Sequence, residues 1–150
     1  MNQYGATVAW HLAPDATFDY EHFNRNHEWT FAGGEVIQAS ASPDYFGSNN
    51  RVNPDEAVVA ATSSCHMLTF LSIAAKKQLK VLSYIDQPQG TVDKNENGAM
   101  AMTKIVLRPR VVFEADVSAE EVQAIHDSTL GHCFVANSLK SEIVIEPVIV

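Results

Sequence analysis

NPDEAVVAATSSCHMLTFLSIAAKKQLK, running from Asn53 to Lys80, decides how the rest of the chain is read. It opens with the marks of a helix start. Asn53 has a side-chain oxygen that can cap free N–H groups, and Pro54 stands where a missing N–H costs nothing. Asp55 and Glu56 place negative charge on the positive end of the helix dipole. Beyond them Val58, Val59, Met67, Leu68, Leu71 and Ile73 alternate with small Ala and Ser residues, and no Lys or Arg appears before Lys76. A helix that is apolar on most of its faces is expected to be buried, in a core or at a subunit interface. Cys65 lies in its middle.

With 150 residues, 46% of them apolar, the chain has the material for one globular domain over 1–150 with a proper core. A formal net charge of −8 argues against nucleic acid or an anionic membrane as the main partner. The N-terminal MNQYGATVAWHLAPD shows no basic region leading into an apolar run, and no window approaches the roughly 18 apolar residues of a membrane span. The expectation is a cytoplasmic protein. Two cysteines are too few for a disulfide framework, and in a reducing compartment such a pair is either inert or redox-active.

Ahead of the helix, Thr7 to Leu12 has the β-branched and aromatic content of a strand that Ala13-Pro14-Asp15 ends. His27 to Phe31 and Glu35 to Ala39, joined through Gly33-Gly34, read as a hairpin, and the Ser-, Asn- and Gly-rich Ser40 to Arg51 as a loop. After the helix, Val81 to Val92 and Ala99 to Leu107 are β-rich runs either side of a turn closed by Asn97-Gly98, the first weakened by Pro88 and Gly90. Val111 to Glu114 is a third strand or a continuation of the second past a bulge. Ser118 with Glu121 forms a capping box for a second helix, which Gly131 interrupts and which restarts over Phe134 to Leu139. Glu142 to Val150 reads as a last strand with Pro147 at an edge or bend. The order of elements predicts an α+β fold with hairpin-built antiparallel sheets.

Cys65 and Cys133 each fall in or beside a helix among small or apolar residues, where free cysteine is commonly core filler. A reactive thiol instead needs a cation or helix N-terminus that favours the thiolate. Arg25 and Arg51, both N-terminal to the long helix, are the candidate cations. Asp55, ten positions before Cys65, is turned about 80° from it around the axis, so the two can border one concave site without touching. Cys65-His66 and His132-Cys133 offer four ligands suited to zinc. Neighbours on a helix point about 100° apart, though, and neither pair has the gap by which zinc motifs aim two side chains at one ion.

These residues also carry a resemblance. The helix start NPDEAVVAATSSC, the segment NRNHEWTFAGG (Asn24 to Gly34, with its R-x-H-x-W-x-F-x-G-G spacing), LRPRVVF (Leu107 to Phe113) and HCFVANSLKSEI (His132 to Ile143) resemble, in order, segments of the OsmC/Ohr family of osmotically induced and organic-hydroperoxide-resistance proteins. The resemblance implies the OsmC-like fold: an intertwined homodimer in which antiparallel sheets wrap around long central cysteine-bearing helices. It implies a thiol peroxidase without metal, haem or flavin. Cys65 is then the peroxidatic cysteine and passes through a sulfenic acid, and Cys133 resolves it as an intramolecular disulfide. A dithiol, whether a lipoyl protein, thioredoxin or a small thiol, reduces that disulfide. Arg25 falls on the family's activating arginine, with Arg51 as a substitute. The arginine's acidic partner, usually Glu directly after Asn-Pro, is here Asp55, with Glu56 next to it as an alternative. Apolar surroundings favour organic hydroperoxides over hydrogen peroxide. The competing reading keeps the fold and dimer but makes the chain a small-molecule or lipid-binding protein with little peroxidase activity, and a metal-bound dimer built on the Cys-His pairs is a third.

Overall fold

The computed structural model describes residues 1–148. The chain divides into two compact units, Met1–Ala57 and Val58–Val150, the first four residues of the long helix belonging to the first.

The first unit is an antiparallel sheet of β1 (Ala6–Ala9), β2 (His27–Phe31) and β3 (Val36–Ala39), in that order. β2 occupies the predicted residues. β1 is shorter than expected because Trp10 leaves the strand and its indole N–H donates to the Asn24 carbonyl at 2.6 Å. The β2–β3 turn closes through Gly34 N–H to the Phe31 carbonyl, with Gly34 at φ 87°, where glycine carries no Cβ penalty. The segment 40–51 contains a short 3-10 turn at Pro43–Tyr45, then Gly47, where a Cβ would sit 1.7 Å from the Ala41 carbonyl oxygen.

The helix α1 spans Pro54–Lys76, and its start is the one expected. Asn53 Oδ1 accepts from Glu56 N–H at 2.9 Å and Glu56 Oε2 accepts from Asn53 N–H at 3.0 Å, a reciprocal capping box. It ends four residues before Lys80 because Gln78 turns left-handed at φ 60° and Leu79 N–H bonds back to the Ala74 carbonyl. One expectation is corrected here: an 18-residue window of α1 reaches a mean hydropathy of 1.5, so by length and composition this helix does reach the level of a membrane span. Small uncharged residues raise that mean without an unbroken apolar run, and the core helix of a globular protein meets the same test.

In the second unit the predicted run Val81 to Val92 is not one strand. It splits into β4 (Val81–Ile85) and β5 (Gln89–Lys94), which lie in different sheets. Between them Asp86 turns its carboxylate inward, accepting from Arg108 N–H at 2.6 Å and Ser63 Oγ at 2.5 Å, and Pro88 has no N–H for a ladder. β4 pairs antiparallel with β7 (Arg110–Phe113), which is thus a separate strand and not a continuation of β6 (Met100–Leu107). β5 pairs antiparallel with β6, and β8 (Glu142–Ile145) joins the other edge of β6 in parallel, Ile105 opposite Ile143. The expectation of purely antiparallel sheets is corrected: α2 (Ala119–His132) and α3 (Phe134–Ser138) carry the chain across before β8, the kind of crossover that parallel pairing requires. Gly131 stays within α2, and Ser118 Oγ accepts from Glu121 N–H as its capping box predicted. Of the strand expected over 142–150, positions 149 and 150 lie outside the described residues.

The core of this unit is Phe70 and Ala74 from α1 and Ile125 from α2, packed on Tyr84, Val111 and Phe113 of the β4–β7 pair. α1 buries Thr62, His66, Phe70 and Ala74, a stripe spaced by four, while Leu68 remains 58% exposed. Burial on every face of α1 is therefore not found within one chain. His66 and His126 are wholly buried and stacked, ring planes 10° apart, with His66 Nε2 3.0 Å from His126 Nδ1. Burial pushes both imidazoles down to about 4. Free histidine titrates near about 6.5, so between these values the unfolded chain holds more protons than the folded one. Stability should be full above pH 6.5 and fall as the pH drops to 4; thermal unfolding checks this, and a flat Tm across that window would contradict it.

Candidate active site

Cys65 sits in the middle of α1, one residue before the buried His66 and thus off the buried stripe, and it is half-buried. Its backbone carbonyl accepts from Thr69 Oγ1 at 3.0 Å. Two residues earlier, Ser63 is tied to Asp86, so this stretch of α1 is fixed against the β4–β5 connection.

Cys133 stands between α2 and α3 with wholly buried side chain, and its Sγ caps α3 by accepting from Ala136 N–H at 3.4 Å. Sixty-eight positions after Cys65 in sequence, it lies close enough to Cys65 for the two thiols to influence each other. Burial, and next the neighbouring Cys65 side chain, push the Cys133 thiol up to about 11. Cys133 is therefore held as a thiol. The two cysteines singled out from the sequence are brought together within one unit.

Arg25 belongs to the first unit. Its Nη1 donates to the Phe23 carbonyl at 2.6 Å and its Nη2 to the Tyr20 carbonyl. The guanidinium lies 3.7 Å from the Phe23 ring centre and 5.1 Å from that of Phe46, so cation–π attraction and two carbonyls orient it. It forms part of the wall of a cavity of about 500 Å3 otherwise lined mainly by apolar groups, among them Val8, Trp10, Phe18 and Phe23. Trp10, Phe18 and Phe23 pack edge to face or tilted on one another, which gives this wall its shape. From the sequence Trp10 was expected inside a strand, while Phe18 and Phe23 carried no expectation. Their signal was the clustering of Trp10, Phe18, Tyr20 and Phe23 within fourteen residues.

Among the described residues no ion pair joins Arg25 or Arg51 to Asp55 or Glu56. Glu56 is engaged in the helix cap, Asp55 is exposed in the first turn of α1, and Arg51 Nη1 reaches the His27 carbonyl at 3.5 Å. The four possible zinc ligands do not converge. His66 faces His126, and His132 Nδ1 lies 2.7 Å from the Ser128 carbonyl oxygen. Among the described residues no three His, Cys, Asp or Glu side chains group as a metal site.

The model for OsmC-like proteins matches residues 47–148. An OsmC-like protein of unknown function from Vibrio cholerae has a solved structure 41% identical to this chain, covering 99% of it and 100% of that chain, with a TM-score of 0.94. An organic hydroperoxide resistance protein from Elizabethkingia anophelis, 17% identical over 98% of this chain and 94% of its own, shares the fold at a TM-score of 0.72. An uncharacterized protein of Bacillus subtilis (strain 168) is 28% identical over 104 residues, 69% of each chain.

The burial of Cys133 and the half-exposure of Cys65 set an order of reactivity. At pH 8 a thiol of pKa about 11 is a thiolate in about one molecule in a thousand. Iodoacetamide should therefore modify Cys65 in the native protein and Cys133 only after unfolding, as read by peptide mass mapping. Equal rates at both sulfurs in folded protein would contradict the burial assigned to Cys133.

Proposed function

The chain belongs to the OsmC-like family, and from that premise we propose that it is a cysteine-based hydroperoxide reductase. The observation that supports this most directly is the proximity of the half-buried Cys65 to the wholly buried Cys133.

In this reading the Cys65 thiolate attacks one oxygen of the peroxide, the O–O bond breaks, and the other oxygen leaves as an alcohol after taking up a proton. Cys65 becomes a sulfenic acid. The Cys133 sulfur then displaces its hydroxyl as water and forms the Cys65–Cys133 disulfide, which an external dithiol reduces. A buried thiol kept protonated until needed suits the resolving role, since Cys133 neither competes for peroxide nor meets other thiols. Arg25 takes the part of the activating and orienting cation, with Arg51 as the substitute; Asp55, and Glu56 in its place, is the candidate carboxylate, although neither is paired with Arg25 among the described residues. The reductant class is a lipoyl protein, thioredoxin or small thiol, and the setting is cytoplasmic defence against peroxide stress. The uncovered apolar residues of α1, Leu68 foremost, support a homodimer in which this helix meets its copy.

The cavity beside Arg25 supports organic hydroperoxides as substrates, because one cation set in an apolar and aromatic wall accommodates a polar peroxide head on an apolar body. The same cavity supports the second reading, a binder of small apolar molecules or lipids that has little peroxidase activity.

Turnover separates the two. With dihydrolipoamide as reductant, the protein should consume cumene hydroperoxide faster than hydrogen peroxide. Cys65→Ser should abolish consumption, and Cys133→Ser should allow a first turnover while losing recycling by the dithiol. No turnover by the parent protein, with an apolar molecule retained through purification, would overturn the peroxidase reading in favour of the binding one.

A further inference from the structure

Between β3 and α1 the chain makes a tight turn, Ser42 to Gly47. The Ser42 carbonyl accepts from both Tyr45 N–H and Gly47 N–H, and the Pro43 carbonyl accepts from Phe46 N–H at 3.1 Å. Closing the turn sets Gly47 against Ala41 so tightly that only a residue without Cβ fits, and it leaves Phe46 at φ 62°, ψ 23°. That left-handed conformation is an outlier for a bulky aromatic residue, and glycine or asparagine would adopt it with less strain. Burial does not offset the strain, because Phe46 is 55% exposed. What the turn gives the ring is a place 5.1 Å from the Arg25 guanidinium and nearly perpendicular to Tyr20, ring centres 5.9 Å apart.

The turn is also anchored to the residue next to Arg25. Ser48 Oγ donates to Asn26 Oδ1 at 2.7 Å, and Ser48 N–H donates to the Oγ of the wholly buried Ser40 at 3.1 Å. With the Phe23 ring centre 3.7 Å away and two carbonyls taking its hydrogens, the guanidinium is held by groups from two separate connections. Backbone strain persists only where the surroundings over-determine it, and such outliers gather at functional sites.

We propose that Phe46 is a positioning residue for Arg25: the strained turn holds its ring on the guanidinium and so fixes the cation in the wall of the apolar cavity where the hydroperoxide binds. This role rests on the part given to Arg25 as the activating cation, and it adds the group that keeps that cation in place. An aromatic face attracts a cation without taking any of its N–H donors. The hydrogens not bound to the Tyr20 and Phe23 carbonyls are thereby left for a peroxide oxygen.

The test uses the full chain labelled with 15N at arginine. Ring currents from Phe23 and Phe46 should place the Arg25 Nε–H resonance upfield of that of the exposed Arg110 and keep its exchange with water slow. Phe46→Leu, which fills similar space without an aromatic face, should move the resonance toward that of Arg110 and speed the exchange. Phe46→Tyr, which keeps the face, should leave both as in the parent. With cumene hydroperoxide and dihydrolipoamide, Phe46→Leu should lower kcat/KM about fivefold, as for one exposed cation–π contact, and Phe46→Tyr should stay within about twofold of the parent. Should Phe46→Leu not fold, Phe46→Asn, which suits the left-handed backbone, takes its place. An Arg25 resonance unchanged in the folded variant would overturn the proposal, and so would a displaced resonance with unchanged kcat/KM. The spectra decide the positioning of Arg25 even in a protein that does not turn over peroxide. A failure of the peroxidase reading, seen as no turnover by the parent, is thus told apart from a failure of this one.

Discussion

Thr62, His66, Phe70 and Ala74, four residues apart along α1, form the line on which the second unit closes. Phe70 carries most of it, with its ring centre 4.4 Å from that of His126 on α2 and 5.6 Å from that of Tyr84 on β4. Truncating a buried phenylalanine typically costs about 3–5 kcal/mol, a large share of the roughly 5–15 kcal/mol by which a domain is stable. The stripe also fixes the rotation of the helix about its axis. Cys65 precedes His66, so it is turned about 100° off the buried line. That leaves the sulfur half-buried and near the Cys133 thiol at the α2–α3 junction. The packing of a phenylalanine thus sets the position of a nucleophile.

Those parts of the fold governed by neighbours in sequence were legible in it. Asn53, Pro54 and Glu56 act within one turn of helix, and Ser118 with Glu121 does the same for α2, so both starts were found where the residues placed them. The alternation of His27 to Phe31 also gave β2 its boundaries. What escaped depends on partners far along the chain. Nothing in Val81 to Val92 says that its two halves join β7 and β6 respectively, since that follows from Asp86 receiving groups from positions 63 and 108. The parallel pairing of β8 is a consequence of the path through α2 and α3, not of the composition of EIVI.

The site divides in the same way. Both cysteines stood out because they are the only two, but their proximity could not be read from a separation of sixty-eight positions. His126 was visible only as a continuation of helical spacing, and its stacking on His66, sixty residues away, belongs wholly to tertiary structure. Arg25 was found through a segment resemblance, whereas the rings that orient it come from two separate connections, Phe23 from the one between β1 and β2 and Phe46 from the one between β3 and α1. Phe23 and Phe46 hold its guanidinium by their faces while carbonyl oxygens take its hydrogens, an arrangement that keeps a cation in an otherwise apolar wall.

The redox couple proposed for Cys65 and Cys133 is the step on which the rest of the mechanism depends. It is tested most directly by treating reduced protein with one equivalent of cumene hydroperoxide and mapping the thiols by mass spectrometry. The account predicts a loss of two hydrogens that links Cys65 to Cys133 within one chain, with sulfenic acid trapped at Cys65 when Cys133 is replaced by serine. Two unmodified thiols in folded, treated protein would contradict it and leave the cysteines as packing residues.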